Sequence, residues 1–265
     1  MKPSRAVAIG ITVGFFAGLL AAIYLNLAGE PRLEEAIALE EAAAQTGLAN
    51  DSGLNSEDDP AVSRSVQKGI GLFSALAFTG AAFGTIFGVV HGALRAPTTP
   101  WQKARLTGIL LFTGFVLVPW FKYPPNPPAV GDPATSGQRQ SLYLILILAT
   151  FTLFICTDMV KRQLEQRNIT EHVRQIVTAA SFLVPLTLLL IFLPPNDDPI
   201  NVPADLIWQF REISLTGNVL LWGSMTIGYG LLATRWAQNK ATNPAKNKQL
   251  AGLPERSSSA SKVPL

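Results

Sequence analysis

One cysteine, two histidines and three methionines are all that a chain of 265 residues offers to a soft metal or a redox reaction. The lone Cys156 excludes a disulfide framework, a zinc ribbon and a CxxC redox motif. Charge is scarce too, at 15% of residues, where a soluble chain carries about 25%. No Walker A, HExxH or GxSxG motif occurs, so ATP hydrolysis and two familiar hydrolase chemistries are absent. The chain reads as a non-enzyme that binds neither ATP nor nucleic acid.

What it has in abundance is uncharged length. Stretches free of Asp, Glu, Lys and Arg cover 6–29, 69–94, 106–121, 140–157, 175–196 and 213–234, close to half the chain. A bilayer core needs roughly 20 apolar residues per helix. The fold class is therefore all-α, a polytopic membrane protein whose partner is the lipid bilayer. Its six helices are expected at about 6–28, 69–94, 105–121, 141–159, 175–194 and 215–235. The first stretch follows Lys2 and Arg5 as a signal peptide would, but it outruns the usual 7–15-residue apolar region; a retained helix is expected. The stretch at 106–121 is short, and Arg105 and Lys122 can extend it by snorkelling.

Lysine and arginine divide unevenly between the connecting segments. Fifteen fall at the N-terminus, in the second and fourth loops and in the tail; six fall in the first, third and fifth loops. Cytoplasmic loops collect these residues, which puts both termini in the cytoplasm. Residues 1–236 thus form the membrane domain. Residues 237–265 are rich in Ser, Pro, Lys and Ala without apolar periodicity, and read as a disordered basic tail.

Two glycine ladders suggest how helices meet. Gly10, Gly14 and Gly18 recur every fourth residue in the first helix, continued by Ala22; Gly80, Gly84, Gly88 and Gly92 do so in the second. Such spacing makes a smooth face on which backbones approach closely. Pro185 is expected to kink the fifth helix. The three outer loops also share a pattern: Pro-Ala, a few residues, an arginine (Arg64, Arg139, Arg211), then a serine suited to an N-cap. The second and third add Pro124-Pro125-Asn126 and Pro194-Pro195-Asn196. The pattern suggests a three-fold repeat of helical hairpins, pairing helices one with two, three with four and five with six. The plainer reading is three interfacial arginines with capping serines.

The segment Lys122-Tyr123-Pro124-Pro125-Asn126-Pro127-Pro128-Ala129-Val130-Gly131-Asp132-Pro133 resembles the signature of the CbtA family, probable cobalt transporter subunits. Further stretches are similar to that family: Glu30-Pro31 with Ile37–Glu40, the run from Ser63 through Arg64 and Gln67 to Leu72, and Pro203–Arg211 with Ser214. The resemblance implies a membrane subunit for cobalt uptake linked to cobalamin metabolism, in a bacterial or archaeal cytoplasmic membrane. It implies Co²⁺ as cargo, with no permanently bound cofactor. It also implies a small histidine-rich, one-helix partner of the CbtB kind. A non-transporting membrane scaffold is the rival.

The outer mouth is the expected working surface, with Lys122, Tyr123, Asn126, Gly131, Asp132, Arg139, Arg64, Gln67 and Arg211. Asp132, its backbone constrained by Gly131 and Pro133, is the outer metal-ligand candidate. The acidic first loop, from Glu30 to Asp59, would attract cations. The alternative for Asp132 is pairing with Lys122 or Arg139. An inner site would combine His91 with Cys156, Asp158 and Met159, ligand types that Co²⁺ accepts; a free thiol, a solvated carboxylate and a packing methionine make the competing reading. His172 falls in a cytoplasmic loop. The three arginines oppose a simple cation channel unless carboxylates such as Asp59, Asp132, Asp205 or Glu212 neutralise them; unpaired, they point to an anionic cargo or a metal chelate. Along the helices the sequence offers little polarity beyond Thr79, Thr85, Thr150, Thr152, Thr178, Ser181, Ser224 and Thr226.

Overall fold

The computed structural model describes residues 2–45, 63–94, 99–128, 130–131, 135–196, 200 and 202–242. Among these residues all regular structure is helical. The first rod is α1 (Pro3–Tyr24), a π-helical turn (Leu25–Gly29) and α2 (Glu30–Gln45). The second is α3 (Arg64–Val66), a π turn (Gln67–Gly71) and α4 (Leu72–Ala93). The third is α5 (Pro100–Phe112), a π turn (Thr113–Leu117) and α6 (Val118–Lys122). Then come α7 (Ser136–Gln166), α8 (Glu171–Phe192) and the 39-residue α9 (Ala204–Thr242).

Five stretches are long and apolar enough to cross a membrane: Pro3–Ala42, Arg64–Ala93, Pro100–Lys122, Ser136–Gln166 and Glu171–Phe192. The sixth expected helix, in α9, is not among them. Its position explains why. Leu221, Trp222, Met225, Tyr229 and Ala233 of α9 form the core with Val13, Ala17 and Ala21 of α1, Phe87 of α4, and Ala104 and Leu111 of α5. The face it packs there can carry Asn218, Ser224 and Thr226, which lower its average hydropathy, while its other face stays apolar and exposed at Val219, Ile227, Leu231 and Leu232. It runs antiparallel beside α1 for the whole of that helix. Ile213 of α9 approaches Gly29, Leu25 packs against Gly217, Val13 against Gly228, and the Arg5 guanidinium lies 5.5 Å from the Trp236 ring. Residue 5 and residue 236 are therefore at the same end of the bundle.

The tightest contact joins α1 to α4. A β-carbon on Gly10 would run into the carbonyl of Gly84, one on Gly14 into that of Gly80, and one on Gly18 into that of Leu76. From the other side, Gly88 lies against the backbone of Ala6 and Val7. Gly92 differs: nothing lies within 4 Å of the β-carbon it lacks. It sits at the open end of the ladder, one turn beyond the contact with Ala6.

Helix boundaries differ from the uncharged runs because polar turns extend each helix. The first rod continues from residue 28 to Gln45, since PRLEEAIALEEAAAQ is rich in strong helix formers. The acidic residues Glu30 to Glu41 are thus helical rather than loop, and Glu57 to Asp59 lie outside the described residues. Residues 237–242, expected in the tail, close α9; the rest of the tail is outside the described residues. Ser141 and Ser214 lie within α7 and α9 and cap neither. Ser63 occupies the N-cap of α3, but its hydroxyl meets the Ser65 hydroxyl at 3.1 Å and caps no amide. The helix α8 runs through Pro185 to Phe192.

Of the three expected hairpin pairs, one with two is the strongest contact, α1 against α4, whereas three with four is slight and five with six is nearly absent. The main pairs are α1 with α4, α1 with α9, α5 with α9, and α7 with α8, while α8 scarcely touches α9. Loop length decides this. Only residues 167–170 separate α7 from α8, which forces antiparallel neighbours, with Phe154 stacked on Phe182 at 5.0 Å between centroids. Residues 193–203 separate α8 from α9 and leave both free to choose other partners. No residue of α8 is buried.

A Gly84→Val substitution forces α1 and α4 apart and is expected to cost about 1–3 kcal/mol, the range for an overpacked core. Gly92→Val, at the open end of the ladder, is expected to stay within about 0.5 kcal/mol of the parent. Thermal unfolding of the two variants in one detergent compares them directly.

Candidate functional site

Two of the π turns are followed by a proline. Pro31 lacks the amide that would bond the Leu27 carbonyl in an α-helix, and Pro119 lacks the one for Phe115. A π turn just before each proline shifts the bonding by one residue: the Glu30 amide reaches Leu25 O and the Val118 amide reaches Thr113 O. The Phe115 carbonyl finds a partner on another helix, the Tyr143 hydroxyl of α7, at 3.2 Å. Irregular backbone inside a membrane bundle is tolerated where it lines a cavity, and that is its position here.

The cavity has a volume of about 910 Å³ and opens between α6, α7, α9 and the segments after α6 and α8. Its deep wall is Phe83, halfway along α4, with Phe115 and Val116 of the third π turn. Trp222 backs that wall, its ring 5.1 Å from Phe83 and stacked on Phe115 at 5.9 Å. At the rim stand Lys122, Tyr123, Pro124, Pro125 and Asn126, facing Pro195 and Asn196. The two Pro-Pro-Asn segments are thus joined in one rim, where the Tyr123 hydroxyl donates to the Pro194 carbonyl at 2.8 Å. Burial pushes the Tyr123 phenol above its ordinary pKa. On α9, Arg211, Ser214 and Asn218 follow helical spacing and present one face to the cavity.

Arg211 donates through Nη2 to Asn126 Oδ1 at 2.7 Å, while its Nε is buried without a partner. The carboxylates expected to neutralise it, Asp205 and Glu212, form no salt bridge with it. Arg139 of α7 also lines the cavity. Its guanidinium occupies the space that a β-carbon on Gly131 would need, and Gly131 has φ +111°, which only glycine adopts without strain. Asp132 lies outside the described residues.

Arg64 and Gln67 do not line this cavity. Arg64 pairs with Glu30 at 2.6 Å, and Lys68 beyond it pairs with Glu34 at 2.8 Å. Asn26 Nδ2 donates to the Lys68 carbonyl at 2.8 Å, tying the first π turn to the second, in which Gln67 sits. The acidic face of α2 is therefore spent in part on fixing the second rod. Arg64 is neutralised by Glu30, and Asp59 lies outside the described residues.

The inner set does not assemble. His91 is buried between Phe87 and Tyr229, with ring centroids 6.5 and 4.7 Å away. Cys156 and Met159 are exposed on α7, and Asp158 pairs with Arg162 at 2.8 Å. The hairpin α7–α8 turns these residues outward, away from the core that holds His91. Among the described residues no three of His, Cys, Asp and Glu gather where they could hold a metal. Nor do the helical hydroxyls make a polar path: Thr85, Thr150, Thr152, Ser181, Ser224 and Thr226 each donate to a carbonyl of their own helix.

The cavity brings together the sequence-predicted Lys122, Tyr123, Asn126, Arg139 and Arg211, and adds Trp120, Gln140, Tyr143, Asn196 and Asn218, which sequence reasoning did not single out as site residues. A signal existed for some. Asn218 is an amide within an uncharged membrane-length stretch, which by itself marks a site. Pro119 inside the third stretch announces a freed carbonyl that a side chain such as Tyr143 must satisfy.

A family model described as "Probable cobalt transporter subunit (CbtA)" matches residues 4–234. No curated protein and no solved structure matches. Tyr143→Phe removes the hydroxyl donor from the Phe115 carbonyl and is expected to cost about 0.5–1.5 kcal/mol, read as a lowered unfolding midpoint in detergent.

Proposed function

The chain belongs to the CbtA family, and from that premise we propose that it is the membrane-embedded, substrate-handling subunit of a cobalt uptake system that serves cobalamin metabolism. It has six crossings, α9 being the sixth, with both termini in the cytoplasm of a bacterial or archaeal cell. The observation that carries this reading is the cavity of about 910 Å³ bounded by the segment that resembles the family signature. The excess of Lys and Arg in the segments of the Arg5–Trp236 end supports its assignment to the cytoplasm. The opposite end, with Lys122, Asn126 and Arg211, then faces outward and receives the cargo.

The chain conducts without catalysing a reaction and without binding ATP. The drive comes from a gradient or from another subunit. A small histidine-rich subunit with one helix captures the metal; the two histidines of this chain fit that division of labour. The Phe83, Phe115 and Trp222 rings close the cavity half-way across, so transport requires them to part. A bundle with a cavity on one side of such a barrier is what an outward-facing carrier looks like.

Reconstitution into proteoliposomes loaded with a fluorescent Co²⁺ sensor tests the proposal. Saturable uptake, faster with the small partner subunit present, is expected; its absence under both conditions makes the chain a scaffold. The orientation has its own test. In intact cells an impermeant thiol reagent is expected to label Asn126→Cys and to spare a cysteine placed in the tail at Ser258, in a Cys156→Ser background.

A further inference from the structure

The end of the bundle opposite the cavity gathers positive charge that the chain itself does not balance. Arg5 of α1, Lys103 and Arg105 of α5, and Arg235 and Lys240 of α9 lie there. No Asp or Glu occurs in 2–29, 60–131 or 213–254, the stretches that supply these helices and the segment joining α4 to α5. Residues 95–98, outside the described set, add only Arg95 to the balance. In the tail Glu255 stands among Lys246, Lys248, Arg256 and Lys262. The α7–α8 turn, at the same end, is built differently: Asp158 pairs with Arg162, and Glu171 with Arg174. One corner of this end neutralises itself. The other takes its counter-ion from outside.

The place of that corner in the bilayer identifies the counter-ion. The Arg5 guanidinium lies 5.5 Å and the Lys240 ammonium 5.7 Å from the ring centre of Trp236, and Trp101 of α5 packs close against Gly230 of α9. Tryptophan collects at the headgroup level of a membrane. Beneath the cations the helices are bare to lipid. On α9, Arg235, Leu231 and Ile227 follow four-residue spacing and all three are exposed; on α5, Arg105 stands over exposed Ile109 in the same way. A phospholipid has its parts in this order, a phosphate at the level of the arginines and an acyl chain along the column below. Guanidinium groups match phosphate in geometry, and basic sites between helices at a membrane face hold anionic headgroups.

We propose that this corner, formed by the starts of α1 and α5 and the end of α9, binds the phosphate headgroups of anionic phospholipid. Arg235, with Arg5 beside the neighbouring Trp236, holds one phosphate, and Arg105 another. The apolar columns through Leu231 and Ile227 on α9 and through Ile109 on α5 receive the acyl chains. Because α1, α5 and α9 together build the core, lipid held by all three stabilises the folded bundle. The site requires only that the chain spans a bilayer and does not rest on the cobalt-transport reading.

Native mass spectrometry tests this on the full chain, taken from neutral-detergent micelles that hold phosphatidylglycerol and phosphatidylcholine in equal amounts. Retention of phosphatidylglycerol is expected where phosphatidylcholine is lost, together with an unfolding midpoint that the anionic lipid raises and the zwitterionic one does not. Replacing Arg5→Gln and Arg235→Gln together is expected to lower that retention about tenfold. The pair Arg5→Lys and Arg235→Lys, which keeps the charge, is expected to hold most of it. Lys161→Gln with Arg167→Gln removes the same charge from the α7–α8 turn and is expected to change nothing. Excess inorganic phosphate is expected to leave the lipid in place. Equal retention of the two lipids by the parent overturns the proposal, a result that needs no variant to fold. Equal loss in the two glutamine pairs, each shown to be folded by circular dichroism, overturns it too, since net charge and not this corner then attracts the lipid. Displacement by inorganic phosphate also overturns it, because the site is then one for a free anion.

Discussion

Backbone contact between α1 and α4, without intervening side chains, is the constraint on which the rest of this bundle depends. In lipid no hydrophobic effect draws helices together, so association rests on close packing. Gly10, Gly14 and Gly18 against Gly80 and Gly84 let two carbonyl-bearing surfaces meet directly. That pair is a rigid base against which α9 lays its length, and α5 then packs on α9. With one face of α9 packed against these helices and the other apolar and exposed, polar residues on the packed side need no lipid-compatible disguise. Arg211, Ser214 and Asn218 can therefore occupy one face of a helix inside the bundle.

Prolines do the complementary work of breaking regularity. Pro119 frees a carbonyl in the third rod, the π turn ahead of it widens the helix, and Tyr143 reaches from α7 to satisfy the exposed oxygen. The same event builds cavity wall, since Phe115 and Val116 lie in that turn. Pro31 and the turn at Leu25–Gly29 act likewise in the first rod, where the freed geometry is used to dock Glu30 and Glu34 on Arg64 and Lys68. One rod's irregularity makes a chamber; the other's makes a clamp.

Much of this was legible in the sequence, for identifiable reasons. Uncharged runs reveal the apolar middle of each helix, and four-residue glycine spacing reveals a packing face, because both are local properties of the chain. The rim segment from Lys122 to Asn126 is legible through its prolines. The other helix pairings were not, because they depend on loop reach: four residues bind α7 to α8, whereas eleven let α9 leave for the core. The partner of Arg64 was equally hidden, since Glu30 comes close only because the first helix continues where charge suggested a loop. His91 and Cys156 looked like neighbours at one depth; depth says nothing about which way a hairpin turns its faces.

The isolation of α8 has a mechanical consequence. A helix with no buried residue, touching chiefly α7, has among its described ties an aromatic stack, a four-residue turn and the Tyr123 bond to the Pro194 carbonyl at the rim. Its removal from the bundle exposes little that lipid does not already cover. The α7–α8 pair is thus a flank whose hold on the bundle passes chiefly through α7, where Tyr143 bonds the Phe115 carbonyl and Phe151 packs on the Phe115 ring. One helix is therefore both chamber wall, through Arg139, Gln140 and Tyr143, and chief anchor of its neighbour.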